Sequence, residues 1–132
     1  MNEVRQRRGA LARQAGRRAE VIAALWLLAK GYRILGFRLR TAQGEIDLLA
    51  LRGDVVAVVE VKTRGALEAA LEAVSPEQRQ RLRRAGAQLA ARRRTLHGVR
   101  VRLDLMAVAP GRWPRHIADA WAQDEDGAAL RP

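Results

Sequence analysis

The spacing of apolar and polar residues changes period several times along the chain, and each change marks an element. From about Gln14 to Lys30, small and apolar residues recur at helical spacing, and Gly31 follows as a stop signal, so a first helix is predicted there. Met1 to Arg13 carries four arginines against Glu3 and reads as a frayed basic arm or the loose start of that helix. Tyr32 to Arg40 reads as a strand with Ile34, Leu35, Phe37 and Leu39 as its apolar content, and Thr41 to Gly44 as a turn. Two more strand-like runs, Glu45–Leu51 and Val55–Lys62, flank Gly53-Asp54, a pair suited to a type II′ hairpin turn. Ala66 to Val74 is short and helix-prone, a candidate mobile loop. Ser75-Pro76-Glu77-Gln78 is a strong helix start, with Ser75 as N-cap, Pro76 in the first turn and Gln78 completing a capping box. That helix is predicted to reach about Arg94, with Leu82, Ala85, Leu89 and Gln78 towards the sheet. Val99 to Val108 alternates, placing Val99, Val101, Leu103 and Leu105 on one face and Arg100, Arg102, Asp104 and Met106 on the other. Arg115-His116-Ile117 reads as a short last strand and Trp121 as a packing anchor.

This order predicts one α/β domain over residues 14–122, with an α-β-β-β-α-β core. Its first three strands form an antiparallel meander, a helix crosses over to a further strand, and helices flank the mixed sheet. Residues 123–132 are acidic and Gly/Ala-rich and read as a disordered tail.

The central hairpin carries the chemistry. With Gly53-Asp54 as the loop, Arg52 faces Val55, so Asp47 lies opposite Glu60 and Glu45 opposite Lys62, all four on one face. A four-residue loop keeps that register and a three-residue loop breaks it. Opposed carboxylates repel unless a cation lies between them. An all-oxygen site suits Mg²⁺ or Mn²⁺, and such ions serve phosphate-ester hydrolysis. Lys62 stands where an ammonium stabilises charge on phosphate. The plain alternative is a hairpin with surface charges, but Glu60 and Lys62 interrupt a run of valines that otherwise reads as buried. Glu20 is surrounded at helical spacing by Gly16, Ala23, Ala24 and Leu27, which fits either a carboxylate brought close to the sheet or an exposed helix residue.

The 132 residues carry 25 Lys and Arg against 14 Asp and Glu, a net charge of +11, which favours a polyanionic partner. Arg17, Arg38, Arg40 and Arg64, with Arg79, Arg81, Arg83 and Arg84 on the later helix, are the candidate nucleic-acid contacts. Lys30 and Lys62 are the only lysines, so this chain uses Arg for ordinary cations and keeps Lys inside the hairpin motif. No cysteine is present, which excludes disulfides and thiolate metal sites. Without a membrane-length apolar run or a signal-peptide pattern, a cytoplasmic location is expected. The scarcity of aromatics argues against a reader of single-stranded bases.

Asp47 followed by Glu60-Val61-Lys62 resembles the PD-(D/E)xK motif of Holliday-junction resolvases and restriction endonucleases. Together with Gly16-Arg17-Arg18-Ala19-Glu20 before it and Arg102-Leu103-Asp104 after it, the segment resembles the YraN-like family of small bacterial proteins, over roughly Gly16 to Trp121. The resemblance implies a restriction-endonuclease-like fold and a metal-dependent nuclease. Asp47, Glu60 and the first-helix Glu20 would bind Mg²⁺ or Mn²⁺, Lys62 would be catalytic, and Glu45, Gln78 and Asp104 would lie just behind them. Members of that family carry Asn in place of Arg38 and Lys in place of Gln78. The implied partner is DNA, on branched or repair-intermediate structures, with a homodimer left open. The alternatives are a non-catalytic nucleic-acid-binding scaffold on the same fold and an RNase. Arg102 and Asp104 fit an internal ion pair equally well, and His116 reads as structural.

Overall fold

A computed structural model describes residues 2–122. The chain runs α1 (Asn2–Ala29), β1 (Arg33–Thr41), β2 (Gly44–Arg52), β3 (Val55–Lys62), α2 (Leu67–Glu72), α3 (Pro76–Arg92), a 3₁₀ turn (Arg94–Leu96), β4 (Arg100–Ala107) and β5 (Arg115–Ile117). The five strands form one mixed sheet in sequence order: β1, β2 and β3 are an antiparallel meander, β3 and β4 run parallel across the α2–α3 connection, and β5 returns antiparallel to β4.

Local chemistry accounts for the boundaries. Gly53 has φ +60° while Asp54 stays out of the positive region, as a type II′ turn requires, and Arg52 faces Val55. The Ser75 hydroxyl accepts from the Gln78 N–H at 3.2 Å, and Pro76 occupies the first turn of α3. Gly86 lets α3 approach the sheet: a Cβ there would stand 2.5 Å from Val58 Cγ2 and 2.9 Å from Val101 Cγ1.

The sheet separates two cores. On the α3 side, Leu82 and Ala85 pack on Leu49, Val56, Val58, Leu103 and Leu105, with Trp121 closing the layer. On the α1 side, Ala19, Ala23, Ala24 and Leu27 pack on Leu48, Ala50, Ala57, Val59 and Met106. β3 and β4 therefore alternate between two buried faces, which is why β3 reads as an almost unbroken valine run.

Two stretches take one of the readings the sequence offered. Helix α1 begins at Asn2, so residues 2–13 are the start of the first helix and not a separate arm; no proline interrupts them. The helix-prone stretch Ala66–Val74 holds a short helix, α2, and with Ala70 and Val74 fully buried it is packed on the core and not a loop. The acidic C-terminal tail lies outside the described residues. Among the described residues, no helix is long and apolar enough to cross a membrane.

Candidate active site

The β2–β3 ladder holds register from Arg52–Val55 to Leu48–Val59 and then stops. At the next step the Val61 N–H donates to Asp47 Oδ2 at 2.9 Å, so a carboxylate takes the place of a backbone acceptor. Beside it, β1 has a matching irregularity. Phe37 pairs with Leu48 and Leu39 with Ile46, but Arg38 and Asp47 between them form no ladder pair, and Arg38 has φ +46°. Ile46 belongs to the α3-side core and Leu48 to the α1-side core although they are two residues apart, so β2 turns over at Asp47. Positive φ is uncommon for a residue with a side chain and is best tolerated by Asn, the residue the family resemblance puts at position 38.

This distortion gathers the motif. A cleft of about 280 Å³ is lined by Gly16, Ala19 and Glu20 of α1, by Asp47, and by Glu60 to Arg64. Glu60 is buried within a strand of valines, and the charge of Asp47 acts on it across the cleft. Burial, then the charge of Asp47, pushes the Glu60 carboxyl up to about 7, against the pull of Lys62. Burial likewise raises Asp47, although the Val61 N–H and Lys62 oppose it. Lys62 Nζ stands 3.3 Å from Glu60 Oε1, with its side chain about one-fifth exposed (21%). A buried and a half-buried carboxyl therefore share one ammonium in the cleft.

Glu20 faces the same cleft but is held by Arg38, whose Nη1 donates to Glu20 Oε2. Burial raises the Glu20 carboxyl, Arg38 lowers it, and Asp47 and Glu45 raise it again. Glu20 of the helix thus lines the same cleft as the hairpin acids while paired with Arg38. Among the described residues, no three His, Asp or Glu side chains form a ready-made metal cage.

Other expected members stand elsewhere. Glu45 does not face Lys62, because the ladder ends before reaching them; it pairs with Arg40 of β1, whose Nε lies 3.8 Å from Glu45 Oε2. Gln78 sits in the first turn of α3, away from the cleft lining. Asp104 is fully buried in a different cluster. Arg102 donates to both its oxygens at 2.7 Å, His116 Nε2 lies 2.8 Å from Oδ2, and the Asp119 N–H donates to Oδ1 at 3.0 Å. Burial alone would raise Asp104, but these donors hold its carboxyl below the usual range. A carboxylate only accepts and an ammonium only donates, so His116 gives its Nε2 hydrogen to Asp104 and accepts at Nδ1 from Lys30, 2.6 Å away. Arg102 also donates to the Tyr32 hydroxyl at 2.6 Å. This cluster ties the end of α1 to β4 and β5.

The arginines divide the same way. Arg17, Arg38, Arg40 and Arg64 are exposed, and Arg64 lines the cleft. Arg81 and Arg84 are exposed on α3, across the sheet from α1. Arg79 lies over the Trp121 ring, 5.1 Å from its centroid, and donates to the Val74 carbonyl. Arg83 is half-buried beside Arg100 and Arg102. Sequence reasoning missed the Val61 N–H, which no side-chain pattern reveals, and the Arg38–Glu20 pair, which depends on the strand turning over.

Comparison with known proteins follows this geometry. The family described as "Uncharacterised protein family UPF0102" matches residues 19–108, which include Glu20, Asp47, Glu60 and Lys62. A UPF0102 protein of Caulobacter vibrioides is 70% identical over 118 residues, covering 89% of this chain and 94% of the relative. One of Maricaulis maris is 48% identical over 126 residues, covering 96% and 98%. A third, from Sinorhizobium fredii, is 48% identical over 106 residues, covering 80% and 87%. With the match spanning all the acidic residues of the cleft and relatives this similar over nearly their full length, the chain belongs to the UPF0102 family, which is the YraN-like family.

Proposed function

We propose that this protein is a metal-dependent endonuclease that hydrolyses DNA phosphodiester bonds on a restriction-endonuclease-like fold. The observation that carries the reading is the pair of neighbouring carboxyls, half-buried Asp47 and buried Glu60, opening onto a cleft with Lys62 3.3 Å from Glu60. A structural acid pair needs full compensation, and this one has a single ammonium for two carboxyls. The donor set fits Mg²⁺ or Mn²⁺: all oxygen, with the one or two carboxylates that Mg²⁺ ordinarily takes beside water and substrate phosphate. Asp47 and Glu60 would hold the ion, and Glu20 would join them once Arg38 releases it. When bound, the ion neutralises charge on the phosphate and makes water a better nucleophile.

The chain's own residues do the rest. The Val61 N–H fixes the direction of the Asp47 carboxylate. Lys62, buried along its stem with its ammonium at the cleft, stabilises negative charge that grows on the phosphate oxygens as water adds to phosphorus and the P–O bond to the leaving strand breaks. Arg38, Arg40 and Arg64 draw the phosphate chain to the cleft, with Arg17 and the exposed Arg81 and Arg84 extending the positive surface. A non-catalytic binding role is the second reading, and the Arg38–Glu20 ion pair favours it by engaging the third carboxylate.

The test is cleavage of duplex, flap and four-way-junction DNA with Mg²⁺ or Mn²⁺, using Asp47→Asn as control. Metal-dependent cutting by the parent alone is expected. No cutting of any substrate would leave the binding role.

A further inference from the structure

The acidic cleft does not end at Thr63. Ala19 and Thr63 also form one wall of a second hollow of about 390 Å³, whose other walls are largely apolar: Ala15 and Ile22 of α1, and Val108, Ala109 and Pro110 after β4. One helical turn past Ile22 stands Trp26, and three residues past Pro110 stands Trp113. Their ring centroids are 5.7 Å apart at 34°. Trp113 is 79% exposed, so burial does not explain its place. Its loop is tied back to the catalytic strand's exit: Arg112 Nη1 and Arg115 Nη2 donate to the Gly65 carbonyl at 2.8 and 2.9 Å. Arg18 stands on the rim of the hollow and Arg64 on the wall of the cleft.

Resting on the nuclease reading, we infer that the hollow and the Trp113 ring take an unpaired nucleobase of a DNA strand whose phosphate lies at the acidic cleft. The two cavities share walls, as a base and its phosphate share a sugar. An apolar floor with a large exposed ring suits a π-face, and the arginine rim complements the backbone. A base inside a duplex is stacked on both faces and cannot enter, so the substrate is DNA with unpaired nucleotides beside duplex, such as a flap. The small number of aromatics misleads here, because two of the three tryptophans stand together at this one surface.

The experiment is anisotropy of labelled DNA in chelator, where no cleavage occurs, comparing a duplex with the same duplex carrying a single-stranded flap. Trp113→Ala removes an exposed ring and should lower flap affinity about tenfold while leaving duplex affinity unchanged, and Trp113→Phe should keep most of the affinity. Equal loss on both DNAs, or loss on neither, overturns the base site. A flap of RNA bound as tightly as DNA, with the same dependence on Trp113, overturns the assignment to DNA. Trp113-dependent flap binding by a parent that cuts nothing supports the base site while removing the nuclease reading. A parent that cuts flaps but is indifferent to Trp113 does the reverse.

Discussion

Two buried acidic clusters sit on this one sheet, and they are compensated in opposite ways. Asp104 is fully buried and receives Arg102, His116 and the Asp119 N–H, so its carboxyl is held below the usual range. Glu60 is buried too, with the half-buried Asp47 beside it, but among the described residues this pair has Lys62 and the Val61 N–H as its donors, and both carboxyls are raised. The first cluster is closed by its own donors and spends its charge on joining α1, β4 and β5. The second faces a cleft and has fewer donors than its two carboxyls can use, so both are pushed towards the protonated form. Burial of a carboxylate is thus no sign of a site; incomplete compensation beside a cavity is.

The largest effect expected from this contrast is on stability. Asp104→Asn strands the Arg102 guanidinium and disturbs His116, and should cost about 4 kcal/mol, read from the urea midpoint at constant m. A loss under about 1 kcal/mol would mean that the cluster is not the strut described. Next is Lys62→Arg, which keeps charge but replaces a compact ammonium by a planar fork beside the carboxyls. DNA affinity should hold while single-turnover cleavage falls about a hundredfold, or about 3 kcal/mol. Parental cleavage in that variant would make Lys62 a plain counter-ion.

The clusters should also separate by pH in the chelated protein. Burial lifts the Glu60 carboxyl from 4.5 to about 7 in the folded chain, so the folded state holds the extra proton and stability falls as pH rises between those values, by about 3 kcal/mol. Asp104 is lowered, so its contribution is present above the ordinary carboxylate pKa and is lost only as pH falls below it. Melting temperature against pH should therefore decline from weakly acid to neutral in the parent, and Glu60→Gln should flatten that decline. The smallest effect is that Glu60→Gln, by removing repulsion from Asp47, should stabilise the chelated protein near neutral pH by about 1 kcal/mol.

Much of the frame is legible in the sequence because it rests on local rules. The Gly53-Asp54 turn, the Ser75 cap and the alternation of Val99 to Val108 each depend on a few neighbouring residues, and all three are found as expected. Asp47 and Glu60 line one cleft, although the β2–β3 ladder that the turn starts ends one step before them. Glu45 is misplaced by the same extrapolation, because a register read outward from a turn assumes a regular ladder, and this one breaks at Asp47. A second irregularity lies beside it in β1, where Arg38 takes a left-handed conformation that propensity would not assign to arginine. The Asp104–His116 contact and the Trp26–Trp113 pair join segments with no shared periodicity, so only the folded chain brings them together.

The central claim is that the under-compensated pair, Asp47 and Glu60, holds a divalent cation. Calorimetric titration of Mn²⁺ into the parent, Asp47→Asn and Glu60→Gln tests it most directly, with Asp104→Glu as a buried-acid control. The account predicts saturable binding by the parent and the control, and its loss in both hairpin variants while their circular dichroism is unchanged. Binding by both hairpin variants at parental affinity, or none by the parent, would contradict it.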